Sequence, residues 1–191
     1  MANTEIYAFG ADGNALLIKN ISNIFRGAAS IWRLLEEKYL PQYIPEYAKS
    51  MGIKTKEDCK NKLNYIPSRC TAMTDEKAMT EIWNLVDNPD VSEDDKICLY
   101  TTFDGCLIKQ NDIPKVSKAF RSFEGDTSLK EQADVLDEIY NSNLYMAIGW
   151  NQSGVNNNWS TFGGIKDGIK IPYNCLTGTY HYWLFDDLKN F

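Results

Sequence analysis

Leu144-Tyr145-Met146-Ala147-Ile148-Gly149-Trp150 is the stretch on which the fold turns. It has no charged residue and is rich in large apolar side chains, which predicts a strand of the core. A core strand needs neighbours, and the amino terminus offers them. Glu5-Ile6-Tyr7-Ala8-Phe9 reads as a strand, Asp12-Gly13 as a tight turn with positive φ, and Ala15-Leu16-Leu17-Ile18 as the returning strand. Cys106-Leu107-Ile108-Lys109 reads as a further strand after the Asp104-Gly105 turn. Leu99–Phe103 is expected to be partly extended, which would make a second hairpin.

Between these strands the apolar period changes to that of helices. Ser22 is read as an N-cap, with Ile24, Ala28, Ile31, Leu34, Leu35 and Tyr39 on one face and Leu40-Pro41 as the stop. Thr74 opens another helix through Met79, Ile82, Trp83 and Val86, stopped at Asn88-Pro89. Ser92 with Asp95 makes a capping-box-like start. Asp112 precedes a helix that accepts Pro114 in its first turn, with Val116, Ala119, Phe120 and Phe123 inward. Thr127 caps the next, with Leu129, Ala133, Leu136, Ile139 and Tyr140 inward. Residues 41–73 break the alternation. They read as a small insertion with short helices after Pro45 and Thr55, rich in Lys49, Lys54, Lys56, Lys60 and Lys62. Residues 151–179 read as loop-rich, with a final helix near Leu188. The sum is one α+β domain over 1–191: a mainly antiparallel sheet, an N-terminal β-hairpin, several packed helices and the helical insertion.

The 191 residues include 20 Lys plus Arg and 26 Asp plus Glu, a formal charge of -6. That balance excludes a general nucleic-acid coat, which needs a net positive field. No apolar run approaches a membrane span, and the polar start with Glu5 in the first apolar stretch predicts no secretory leader. The expected setting is the cytoplasm.

Cysteine and histidine usage removes several chemistries. Cys59, Cys70, Cys98, Cys106 and Cys175 form no C-x-x-C pair, so a zinc site is not expected. His181 is the single histidine and lies in Tyr180-His181-Tyr182-Trp183, a setting for packing rather than catalysis. No phosphate-binding glycine motif is present. No cofactor or catalytic residue is assigned.

Two sets of residues are candidates for recognition. Asp90, Glu93, Asp94 and Asp95 form an acidic cluster able to steer the chain toward a basic partner, although carboxylates in a first helical turn also serve the helix dipole. Trp150, Asn151, Gln152 and Trp159 combine amides with flat apolar rings, suited to contact with a nucleobase, a sugar or a protein backbone. Asn156, Asn157 and Asn158 between them read as turn formers.

The segments Asn23–Trp32, Glu37–Pro41, Thr101–Asp104, Phe123–Asp134 and Ala147–Gln152 resemble small accessory proteins carried by phages, plasmids and integrated elements of Firmicutes. The resemblance implies an anti-defence role, of the anti-CRISPR kind that inhibits Cas9 or its guide-RNA complex. The expected function is therefore a non-enzymatic inhibitor of a basic bacterial defence effector, free of membranes and compatible with a homodimer. The alternatives are a metal-dependent nuclease acting on guide RNA or DNA, and a sponge for a nucleotide signal.

Overall fold

A computed structural model describes residues 3–22, 27–69, 76–153, 162–166 and 169–187. The strands are β1 (Asn3–Phe9), β2 (Ala15–Ser22), β3 (Cys106–Lys109), β4 (Ala147–Ser153), β5 (Gly163–Lys166), β6 (Ile169–Pro172) and β7 (Tyr182–Trp183). The helices are α1 (Ala28–Tyr39), α2 (Glu46–Ser50), α3 (Lys56–Leu63), α4 (Glu76–Trp83), α5 (Glu93–Tyr100), α6 (Ile113–Ser122), α7 (Leu129–Ser142) and α8 (Leu184–Asp187). The main sheet runs β2-β1-β4-β3-β7, antiparallel except for the β3–β7 pair, and β5–β6 form a separate antiparallel hairpin. This is the expected α+β fold, opened by the β1–β2 hairpin, with Gly13 at φ 79° in its turn.

The uncharged stretch lies at the sheet's centre. β4 pairs with β1 on one side and β3 on the other, so Trp150 faces Ile6 across one ladder and Cys106 across the other. Alternation along a strand sends successive side chains to opposite faces. Ile6, Ala8, Cys106, Ile108, Ile148 and Trp150 join the helices in the larger core, together with Trp32, Leu35, Ile97, Phe120 and Leu136. Tyr7, Phe9, Leu107 and Ala147 point the other way and are covered by Phe162 and Cys175. The helices occupy one face, and the carboxy-terminal segment lies over the other.

Several expectations are corrected. Ser22 ends β2 rather than capping a helix: Ile21 is buried opposite Thr4, and sheet pairing outweighs the local cap signal. α1 starts at Ala28 with Gly27 as N-cap, and Ile24 lies outside the described residues. Leu99–Phe103 is not extended. α5 runs to Tyr100, and the Thr101 and Thr102 hydroxyls donate back to the carbonyls of Cys98 and Leu99, closing its last turn. The hairpin expected across Asp104-Gly105 does not form: α5 occupies its first arm, and β3 pairs instead with β4 and β7. Asp112 makes no side-chain cap for α6. The Thr127 hydroxyl accepts from Leu129 N while Ser128 takes the N-cap position of α7, and Tyr140 is 39% exposed rather than inward. Within the loop-rich stretch, β4 continues to Ser153 and the β5–β6 hairpin follows. Thr74 and Leu188 lie outside the described residues.

The insertion between Pro41 and Arg69 contains the two expected helices. Pro45 starts α2, and the Thr55 hydroxyl accepts from Asp58 N at 3.0 Å to cap α3. Ile44, Ala48, Ile53 and Cys59 form its own small core. It is tied down through Glu36, 1% exposed on α1, whose carboxylate accepts from Ser68 Oγ, Arg69 N and Arg69 Nη1. Arg69 also reaches Glu81 at 2.7 Å and lies over the Tyr43 ring.

Candidate functional site

A groove of about 590 Å³ opens where β3, α5, α6 and α8 meet. β3 ends at Lys109, and a single 3-10 turn over Gln110–Asp112 leads into α6, whose first turn accepts Pro114. That reversal places Lys109, Asn111, Asp112 and Lys115 around one opening. α8 supplies Phe185 and Asp186, and the first turn of α5 supplies Glu93.

The groove alternates in charge. Lys109 Nζ meets Asp186 Oδ2 at 2.5 Å, and Lys115 Nζ meets Glu93 Oε1 at 2.5 Å. Lys115 Nζ also sits 4.6 Å from the centre of the Phe185 ring, and Lys109 Nζ 5.8 Å from that of Trp183. The Asp186 carboxylate accepting from Lys109 raises the lysine above its ordinary value; desolvation opposes this without cancelling it, and the fields of Asp186 and Asp112 add to the rise. Lys109 is therefore a standing cation at neutral pH and is not available as a base. Both ion pairs are half-exposed, so water screens them and either lysine can exchange its partner at little cost. The arrangement suits binding: an aromatic face that already receives a cation, ringed by carboxylates.

The sequence-predicted acidic set divides. Glu93 lines the groove. Asp90 is exposed in the turn before α5, its N–H donating to Asn88 Oδ1. Asp94 accepts from Ser122 Oγ at 2.9 Å. Asp95 is 6% exposed and accepts from Lys38 Nζ at 2.8 Å and Tyr39 OH at 2.6 Å. Burial raises its carboxyl, and the hydrogen bonds from Lys38, Tyr39 and Ser92 outweigh that and hold it below the ordinary carboxylate value. It joins α1 to α5 and is not on the outer surface.

The aromatic and amide set is interior. Trp150 is fully buried and donates from Nε1 to Gln132 Oε1 at 3.0 Å. Asn151 donates to Glu5 Oε2 at 2.9 Å. Gln152 accepts from Thr4 Oγ1 at 2.7 Å and donates to Thr101 O at 3.2 Å. These amides satisfy a buried polar seam between β1, β4 and the end of α5, because β4 has neighbours on both edges and both faces. An outward contact role for Trp150, Asn151 and Gln152 is corrected accordingly. Trp159 lies outside the described residues.

His181 is held in an aromatic stack, with Nδ1 2.6 Å from Tyr173 OH and edge-to-face contacts to Tyr173 and Trp183. Burial pushes the Cys106 thiol up to about 12 and raises Cys98 as well, so neither is a thiolate at neutral pH. Among the described residues no group of three or more His, Cys, Asp or Glu side chains gathers to hold a metal ion, and no helix is long and apolar enough to cross a membrane.

Sequence reasoning missed Lys109, Asn111, Asp112, Lys115 and Phe185. Each is ordinary in its local context, and the local signal that touched the groove was the acidic run before α5, through Glu93. The groove joins residues 77 positions apart in the Lys109–Asp186 pair, a closeness that no spacing rule encodes. No family model, curated protein or solved structure matches this chain.

Proposed function

We propose that the protein acts by occupying the surface of a macromolecular partner, and that this partner is a basic bacterial nucleic-acid-handling effector of the Cas9 type, which it inhibits in the cytoplasm. The observation that carries the reading is the Phe185 face set among Glu93, Asp112 and Asp186, with Lys115 already lying on it. An arginine of a basic partner fits that seat: its flat guanidinium stacks on the ring while the carboxylates accept its fork of donors. Entry would displace Lys115, whose pairing with Glu93 is half in water. The formal charge of -6 adds long-range attraction to such a partner.

The test is association of the purified chain with Cas9, alone and guide-loaded, at low and physiological salt. Micromolar or tighter binding that Glu93→Lys or Asp186→Lys weakens about tenfold, some 1.4 kcal/mol, supports the proposal. Absence of association at low salt overturns it. Magnesium-dependent cleavage of guide RNA or DNA would replace it with the nuclease reading, and a large melting-temperature rise with one nucleotide would replace it with the sponge reading.

A further inference from the structure

Lys115 stands where a helix disfavours a cation. It lies in the first turn of α6, whose exposed N–H groups oppose positive charge, and no acidic residue shares that turn. Its partner does not need it either. Glu93 lies in the first turn of α5, where the helix dipole already favours a carboxylate, and its side chain is 68% exposed. An exposed pair of this kind contributes little to stability. What the pair does is hold the ammonium at a ring: Nζ lies 2.5 Å from Glu93 Oε1 and 4.6 Å from the centre of Phe185. The ring itself is packed against the main core. Lys109, in the same groove, is engaged elsewhere, with Asp186 and the Trp183 ring.

A tethered cation on a ring competes with any cation that arrives from outside. Lys115 meets the ring and the Glu93 carboxylate at the high effective concentration of a group anchored on the same molecule. An incoming lysine brings the same ammonium and gains nothing by the exchange. A guanidinium differs. It is planar and more weakly hydrated, it lies flat on an aromatic face, and its fork of donors matches both oxygens of a carboxylate.

We infer that Lys115 is a built-in plug of the Phe185 seat, one that an arginine side chain displaces and a lysine side chain does not. The inference rests on the reading of the groove as a seat for a partner's arginine, and adds what controls entry to it. With the plug seated about four-fifths of the time, the apparent affinity is about fivefold below that of the open groove. An exposed ion pair and an exposed cation–ring contact acting together give an occupancy of that order.

The test uses the full chain and two capped tripeptides, acetyl-Gly-Arg-Gly-amide and acetyl-Gly-Lys-Gly-amide, with no effector present. Amide NMR shifts report binding. Displacement is read from the ε-methylene protons of Lys115, which the Phe185 ring current holds upfield in the free protein and which the arginine peptide should return to the ordinary lysine position. Lys115→Gln should bind the arginine peptide about fivefold more tightly than the wild type, with an unchanged melting temperature. Lys115→Arg keeps the charge and supplies a better plug, so it should bind about twofold more weakly, whereas an effect of net charge alone would leave it at the wild-type affinity. The lysine peptide should leave the Lys115 methylene of the wild type where it is. The inference is overturned by an unmoved Lys115 signal at saturation, by a lysine peptide that displaces it equally, or by Lys115→Arg binding as tightly as the wild type. It is overturned too if Lys115→Gln binds the arginine peptide no better than the wild type or not at all. Cas9 enters none of these titrations. A chain whose peptide results hold but which fails to associate with Cas9, plugged or unplugged, keeps the plug and loses the effector.

Discussion

Gly149 is the position in β4 where one atom decides the packing. A Cβ built there would lie 2.5 Å from Leu107 Cδ2 and 2.8 Å from Phe162 Cε2. Phe162 fills the space that the missing side chain leaves, with its ring edge-on to Tyr7 and Phe9 at 5.5 and 5.3 Å. Gly149→Ala is therefore an overpacking change, expected to cost about 1–3 kcal/mol in urea denaturation with little change in slope. A midpoint equal to wild type would show that Phe162 does not seat over β4. The amides beside it illustrate what a sequence hides at this scale. Asn151 and Gln152 have the hydrogen-bonding capacity of recognition groups, but whether that capacity faces a ligand or a neighbouring strand depends on what covers β4.

Local rules served the elements well where the cap chemistry was self-contained. The Thr55 cap of α3 and the Ser92 cap of α5 form as their spacing implies, each hydroxyl accepting the N–H three residues on. They failed at Ser22 and at Leu99–Phe103, where a sheet partner or a continuing helix competed and won. The insertion is an element-level unit, held by the Glu36 and Arg69 pair. Arg69→Ala would leave the 1% exposed carboxylate of Glu36 facing Lys56 at 3.8 Å as its remaining ion pair. Breaking a buried pair from one side costs about 3–5 kcal/mol. Hydrogen exchange should then show loss of protection across residues 44–63, with β1 and β4 still protected. Uniform loss over the whole chain, or none, would mean that the insertion is not anchored there.

At the scale of the molecule, β1 and β4 meet with Thr4 opposite Gln152, so the main sheet closes only when segments 148 positions apart have come together. The Asp95 link between α1 and α5 makes global stability depend on pH. Its carboxyl ionises more readily folded than unfolded, so its stabilisation is complete above the ordinary value of 3.8 and disappears as pH falls through the lowered one. Lys38 is raised by the same contact, chiefly by the hydrogen bond to Asp95, so its share persists through neutral pH and is lost only in alkali above 10.5. Asp95→Asn should lose about 1–2 kcal/mol at pH 7, a modest figure because Lys38 is 55% exposed and water screens its share. The gap to wild type should close as acid unfolding is followed below pH 3.8. A gap that stays constant down that limb would show that the carboxylate is not held by charge.

The sequence by itself determined the α+β class, the opening hairpin, the core strand through Ala147–Trp150 and the register of most helices. Those features follow from apolar period and turn chemistry, which act over a few neighbouring residues. Tertiary structure alone decided which polar groups are interior and which face water, because burial depends on elements far away in the chain. It turned Trp150, Asn151 and Gln152 into a buried seam, separated Glu93 from Asp95, and brought Lys109, Lys115, Phe185 and Asp186 into one groove.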